Sequence, residues 1–445
     1  MNIVERIFTN ADRQATALIG NGEEVTYGQL IARTDAAARS IAAHPAARVA
    51  LDCPNGIRHV VLALAIVRAG KCLVPVASEL SARERERLIR QTGVGAIVDA
   101  EGAVRTVSLE TLPFDEKALA ALNPAFIRFS SGTTGTSKGI VLSHESLLAR
   151  VTAANRGLGI GPADRVVWIL PMAHHFAVSI MLYLLQGATT VIENSHLAED
   201  VLTAATRHGG TVLYGAPFHH ALLAAEGSGR AWPTLRFAVS TAATLPLATA
   251  QAFDRRFGQS LTQGLGIIEV GLPLLNLAHA REKPMAVGQP LPDYAAEVRG
   301  EGELFVRGPG MLDAYLHPWR PRAEILEDGW FRTGDLAQAD AAGDFTLLGR
   351  SHSVINVAGL KCFPEEIEAV LNEHPDVARA RVFGKPNARF GAVPVAEIVP
   401  RDPNSPPPVS TLAAHCRGAL ARYKVPLEFR LVASVPLTPS GKIQR

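Results

Sequence analysis

Residues 127–144 read IRFSSGTTGTSKGIVLSH, with three glycines, seven Ser or Thr hydroxyls and the central Lys138 within eighteen residues. An apolar strand pattern, FIRF, leads into the stretch, and a helical pattern begins after Ser143. Glycines in such a loop let the backbone approach a ligand closely, and amides and hydroxyls together can bind an anion. Lys138 adds a mobile positive charge. The loop is not a Walker A loop, because Gly139 follows Lys138 where that motif needs Ser or Thr. A plain polar strand-to-helix loop is the alternative. The full string SSGTTGTSKG is far more restrictive than a lone GxGxxG, so phosphate binding is the expectation.

Outward from this loop, between about residues 125 and 265, β-rich runs alternate with helical patterns. RVVWIL, TTVIE, TVLYG and RFAVS read as strands; HESLLARVTAA, FAVSIMLYLLQG, VLTAATRHGG and FHHALLAA read as helices. That alternation marks βαβ units and a mainly parallel, layered sheet whose ligands sit at strand ends. Residues 1–110 share the rhythm, with RVALDC, HVVLALAIVRAG, CLVPVA and AIVDA as strand, helix, strand and strand. From about Glu301, short strands separated by Gly and Asp turns predict an antiparallel subdomain. After Arg350 a small α+β unit is expected, with FPEEIEAVLNEHPD as its clearest helix. Pro364 suits the first helical position and Glu365 and Glu366 suit the positive end of the dipole. The fold class is therefore α/β: a large N-terminal domain of layered, mainly parallel sheets plus an antiparallel subdomain, and a small α+β C-terminal domain.

Composition narrows the function. Apolar residues make up 47% and charged residues 19% of 445, enough to build more than one core. A net charge of only +2 gives no reason to expect nucleic acid or an anionic membrane as partner. The four cysteines, Cys53, Cys72, Cys362 and Cys416, lack CxxC spacing, so neither a disulfide framework nor a zinc site is indicated and a reducing cytoplasm fits. The first residues carry charges where a secretory signal needs an apolar run. The longest apolar stretch, from Phe176, is broken by Gln186 and Gly187, so no membrane span is expected.

With these residues in view, the loop resembles the signature loop of the adenylate-forming superfamily, which contains acyl-CoA synthetases, luciferase and stand-alone adenylation enzymes. Further matches follow in the family's order. PMAHHF (171–176) resembles its acyl-pocket segment, QGLGIIEVG (263–271) its QGYGxTE segment, and GWFRTGDL (329–336) its ribose-binding motif. LGRSHSVINVAGLKCFPEEIE (348–368) resembles its hinge and acceptor channel, and PLTPSGKIQR (436–445) its terminal lysine motif.

The resemblance implies a domain over residues 1–349 with the acyl pocket and ATP site, and a mobile lid over 350–445 with the hinge and catalytic lysine. It implies that a carboxylate attacks the α-phosphate of ATP, releasing pyrophosphate and leaving an acyl-adenylate, from which a thiol then displaces AMP. Ser130, Ser131, Gly132, Thr133, Thr134, Gly135 and Lys138 would hold the phosphates, and Glu269 the Mg2+ that neutralises them. Ala242, Ala243, Gly264, Leu265 and Ile268 would face the nucleotide, and Asp335 would bind the ribose with Arg350 beside it. Lys442 would bridge carboxylate and α-phosphate, and His174 would gate the pocket. Phe176, Ala177, Ile180 and Gly266 would line the acyl pocket; Asn356, Ala358 and Gly359 would line the thiol channel, and His352 would be the pivot. Leu265 stands where the family usually has an aromatic residue stacked on adenine, and Ile268 where it has a threonine on the α-phosphate.

Ala177 follows Phe176 where amino-acid-activating relatives carry an aspartate, and a buried ammonium without a counter-charge is heavily penalised. A non-amino, apolar aliphatic or aryl acid is therefore expected as substrate. No carrier domain is read in the chain, so the thiol comes from a separate molecule: CoA, or alternatively a separate acyl carrier protein. A non-catalytic binding protein with a degenerate adenine site is the reading from another class.

Overall fold

The computed structural model describes residues 1–445 except 79, 110, 111, 113, 130–137, 196, 358, 359, 388, 389, 438–442, 444 and 445. Two compact units divide it. The first comprises Met1–Ala296 and Val306–Phe331, the second Glu297–Phe305 and Arg332–Arg445.

The first unit is built on two large sheets. Strands Arg165–Trp168, Thr189–Ile192, Val212–Gly215, Phe237–Ser240 and Leu261–Ile267 run parallel in one of them, as the alternation predicts, with antiparallel strands added at both edges. Helices Ala198–Arg207, Pro217–Ala225 and Leu247–Phe257 bury Leu202, Leu223 and Phe253 against Val167, Leu213 and Ala238 of this sheet. The second sheet pairs Arg48–Asp52 in parallel with Cys72–Pro75 and with Ala96–Asp99. Helix Ile57–Arg68 is buried on nearly every side, His59 included, which fits a helix with an apolar residue at almost every position.

One connection differs from expectation. The helix after Ser143 is present as His144–Leu158, and Ser143 caps it by accepting a hydrogen bond from the Ser146 amide. A strand, Gly139–Ser143, intervenes, however, and pairs antiparallel with Pro124–Phe129. The glycine-rich segment thus joins two strands of a hairpin rather than a strand and a helix. The strand was hidden because GIVLS is short and its pairing with residues 124–129 is a tertiary contact.

Ala295–Arg299, Glu303–Arg307, Phe331–Ala339 and Phe345–Arg350 form a four-stranded sheet, and the expected antiparallel texture is seen where Phe331–Ala339 pairs with Phe345–Arg350. The expected helix is Pro364–Asn372 with Pro364 in its first turn. It packs with Val409–Ala419 on a sheet dominated by the long hairpin Val377–Asn387 and Gly391–Pro400. All four cysteines are buried and free. No helix among the described residues is long and apolar enough to cross a membrane.

The N-terminal edge of the parallel sheet is laced by one carboxylate. Asp164 precedes the first of three adjacent strands and binds Arg236 bidentately at 2.7 Å, Thr211 Oγ1 at 2.8 Å and the Gly161 amide at 2.9 Å. Burial raises the Asp164 pKa, but the donors, Arg236 foremost, outweigh it and hold the carboxyl below the usual range. A depressed folded pKa contributes stability that is present above the unfolded value of about 3.9 and is lost as pH falls through the folded one. Asp164→Asn is expected to lower the unfolding free energy by about 1–2 kcal/mol at pH 7, the half-exposed Arg236 moderating the loss. Urea titrations should show that difference shrinking below about pH 4.

Candidate functional site

Ligands of parallel sheets bind beyond the C-terminal ends of the strands, and there the backbone is unusual. Just past Phe237–Ser240, Ala242 has φ +73°; among the described residues the other non-glycine positions with positive φ, Asn21, Asn123 and Asp328, are of the types that tolerate it. The Thr241 amide donates to Gly215 O at 3.0 Å. Gln263 holds the same bend, its Oε1 accepting from the Leu245 amide at 2.6 Å and its Nε2 donating to Met285 O at 3.0 Å. Strain in a site-forming segment over-determined by neighbours is typical of ligand clamps. Gly266 lies beside this bend: a Cβ on it would be 3.5 Å from Thr241 Oγ1. Leu265 is buried in the strand Leu261–Ile267 opposite Leu274.

Glu269 stands in the turn between that strand and Gly271–Leu275, held from three directions. Its carbonyl accepts from the Leu312 amide at 2.6 Å, and its Oε1 accepts from Tyr315 Oη at 3.2 Å. The third support is Arg150 on helix His144–Leu158. This almost fully buried guanidinium donates from Nη1 to Ile268 O at 2.8 Å, and from Nε and Nη2 to Gly310 O at 2.8 and 2.6 Å. Burial pulls Arg150 down to about 10, opposed by Tyr294, Asp313 and Glu269. Gly310 has φ +70°, and a Cβ there would meet Arg150 N and Ser146 O at 2.4 Å, so only glycine fits.

Lys138 closes the group. Its Nζ lies 4.7 Å from the centre of the Tyr315 ring, the ring whose hydroxyl reaches Glu269. Burial and the nearby carboxylate push the Tyr315 phenol far up, which keeps it a donor. Lys138 and Glu269 thus share one tyrosine, although 131 residues separate them in sequence.

On the acyl side, Met172–His175 is a short α-helix continued as a π-helix over Phe176–Ile180, a form that recurs at functional sites. Phe176, Ala177 and Ile180 are buried. His175 meets Trp168 edge-on at 5.8 Å, and Trp168 stacks on Tyr214 at 6.2 Å, giving the segment an aromatic wall. The His174 carbonyl accepts a hydrogen bond from Arg128 Nη1.

In the second unit, Asp335 and Arg350 are cross-strand partners joined by an Nε–Oδ1 contact of 2.8 Å. Arg350 also donates to Thr333 O at 3.1 Å, while Thr333 Oγ1 accepts from the Asp335 amide at 3.0 Å. His352 lies in a 3-10 turn, Ser351–Ser353, and Asn356 in the strand Ile355–Val357. Ser130, Ser131, Gly132, Thr133, Thr134, Gly135, Ala358, Gly359 and Lys442 lie outside the described residues, as do the side chains of His352 and Asn356.

Sequence reasoning missed Tyr315, Arg150 and Arg128. Two carried a signal: Arg128 interrupts the apolar strand AFIRF, and Arg150 interrupts the apolar helix LLARV. A charge inside an apolar face must be paired or used.

Similarity to known proteins gives the family. The model of the AMP-binding enzyme family matches residues 6–316, and that of the AMP-binding enzyme C-terminal domain matches residues 366–442. The chain belongs to the AMP-binding enzymes. It is 30% identical to a sulfoacetate–CoA ligase of Cupriavidus necator over 96% of this chain and 92% of that one. It is 29% identical to a feruloyl-CoA synthase of Amycolatopsis over 96% and 94%. The fold matches o-succinylbenzoate CoA synthetase of Bacillus subtilis, solved with its acyl-adenylate intermediate, with a TM-score of 0.88 at 25% identity over 100% and 97% of the two chains. ATP-bound MatB of Rhodopseudomonas palustris matches with a TM-score of 0.87 at 25% identity, over the same shares. The AMP-binding enzyme described here is thus a carboxylic acid–thiol ligase.

Within this AMP-binding enzyme, Arg150 should behave as a strut. Arg150→Met, similar in length but without donors, leaves two partly buried carbonyls short of partners and is expected to cost about 2 kcal/mol in urea unfolding. ATP binding, measured by calorimetry, should weaken with it.

Proposed function

We propose that this ligase activates a non-amino, apolar aliphatic or aryl carboxylic acid with ATP and passes the acyl group to CoA. The observation that best supports it is the Lys138–Tyr315–Glu269 group, a cation and an anion shared through one ring at the end of the glycine-rich hairpin. One residue of each sign is what a metal-bound polyphosphate needs: lysine for the phosphate oxygens and a carboxylate for the metal.

Among the described residues no group of three His, Cys, Asp or Glu side chains could hold a metal. This fits Mg2+, which takes one or two protein carboxylates and completes its shell with water and phosphate oxygens. Bound there, Mg2+ would supply positive charge to the polyphosphate; Glu269 would hold it, and Tyr315 would orient Glu269.

In the first half-reaction a carboxylate oxygen of the substrate bonds to the α-phosphorus as the bond to pyrophosphate breaks. Lys442, as the resemblance implies, places its charge between the two reacting anions. In the second, the thiolate attacks the acyl carbon and AMP leaves. Asp335, oriented by Arg350, accepts hydrogen bonds from the ribose. Residues 350–445 act as the lid, pivoting at His352, and the channel at Asn356, Ala358 and Gly359 admits the thiol.

The wall of Trp168, His175 and Tyr214 supports an aryl or aliphatic acid, and buried Ala177 offers no carboxylate to an ammonium. The relatives named for sulfoacetate and ferulate differ in their acids, so the tail must be found by experiment.

Hydroxamate trapping with a panel of carboxylic acids tests the reading. At least one non-amino acid should give ATP-dependent product that Lys442→Ala abolishes. Failure of every acid would leave the non-catalytic binding protein as the better account. Thioester formation with CoA, against none with a phosphopantetheinylated carrier protein, is the expected acceptor result. Ile268→Thr is expected to tighten ATP roughly tenfold by adding a hydroxyl to a charged group, as read by calorimetry.

A further inference from the structure

Arg128 is the second last residue of the strand Pro124–Phe129, two positions before the glycine-rich segment. Ile127, its neighbour in the strand, points into the core of the second sheet; Arg128 points to the opposite face. There Nη1 donates to the His174 carbonyl, at the start of the acyl segment. Its Nε is buried and finds no hydrogen-bond partner among the described residues. No carboxylate of those residues forms an ion pair with it. The acidic group that influences it is Glu269, whose charge opposes the fall to about 10 that burial imposes.

A buried guanidinium with an unused donor is costly, and proteins retain such groups where an anion completes them. The position says which anion. Arg128 pairs with Ile140 and Ile140 with Tyr315, so across the sheet Arg128 shares a face with the tyrosine that joins Glu269 and Lys138, while Nη1 reaches the acyl segment through His174. When a metal cation neutralises Glu269, that carboxylate no longer balances the Arg128 charge, and a new negative charge would. Ile268, beside Glu269, contributes its carbonyl to Arg150 and has no polar side-chain atom to give.

We propose that Arg128 binds the anionic oxygens at the junction of acid and nucleotide, the α-phosphate and the carboxylate that attacks it, supplying the contact that Ile268 cannot. The inference rests on the acid-activating reading above. As the carboxylate oxygen bonds to phosphorus and the pyrophosphate oxygen departs, Arg128 donates to a non-bridging oxygen without losing a proton, because a guanidinium stays charged at neutral pH. It is thus a catalytic residue at the reacting atoms.

AMP carries the α-phosphate and adenosine does not, so the pair isolates this contact without knowledge of the acid. By calorimetry, Arg128→Met should bind AMP roughly 10- to 100-fold more weakly than the unaltered enzyme, and adenosine equally well. Its thermal midpoint should stay the same or rise, since a buried charge is removed. Arg128→Gln, which keeps a donor for the His174 carbonyl, should show the same AMP-selective loss, and it reads the contact if the Met variant does not fold.

Unchanged AMP affinity in a folded variant overturns the proposal, as does equal loss of AMP and adenosine with a lowered midpoint, which would mark Arg128 as structural support. A variant that binds AMP normally but fails with one acid would place the anion on the substrate tail and overturns it too. Should the unaltered enzyme bind neither AMP nor ATP, the acid-activating reading itself fails.

Discussion

A guanidinium taken out of water must find its partners inside the protein, and Arg150 finds them on the carbonyls of Ile268 and Gly310. Those carbonyls belong to segments more than a hundred residues beyond it. They flank Glu269 and lead to Tyr315, so one buried cation fixes the two groups that meet beside Lys138. The same helix carries Ser146, whose hydroxyl donates to Asp313 Oδ1 at 2.9 Å, while Asp313 Oδ2 accepts from the Ser143 amide at 2.6 Å. Arg322 binds Asp313 Oδ1 at 2.6 Å and the carbonyls of Met311 and Leu312 at 2.7 Å. The start of one helix and a distant loop are thereby made a single rigid piece.

That rigidity matters because the parallel sheet divides its labour between two ends. At the N-terminal edge Asp164 ties three strands together, both of its oxygens taken up by Arg236, Thr211 and the Gly161 amide. At the C-terminal edge the backbone takes up the strained Ala242 and the turn bearing Glu269. Strain survives only where neighbours hold it, and Gln263 and Arg150 supply that hold. Stability and chemistry are thus placed on opposite edges of the same sheet.

The strands and helices from residue 165 to 265 were legible because periodicity is local: RVVWIL can only bury both faces, and VLTAATRHGG can only bury one. The motif at Asp335 and Arg350 was legible too, and cross-strand pairing brings those two residues together. The hairpin at residues 124–143 was not, since a five-residue apolar run does not reveal its partner. Arg128, Arg150 and Tyr315 were also missed as site residues. Each is an ordinary member of its own strand, helix or loop and becomes notable only beside its neighbours in space.

The sequence by itself determined the alternation of strands and helices over residues 165–265, the family and the types of side chain available for phosphate, metal and ribose. Those properties follow from short-range patterns and from motifs that are contiguous in the chain. The tertiary structure alone decided which of those side chains share a partner. Lys138 and Glu269 meet through Tyr315, and Arg128 reaches the His174 carbonyl with an Nε that has no partner among the described residues. Such pairings depend on sheet register and on the desolvation of charges at depth, and both arise only when segments far apart in the chain are packed together.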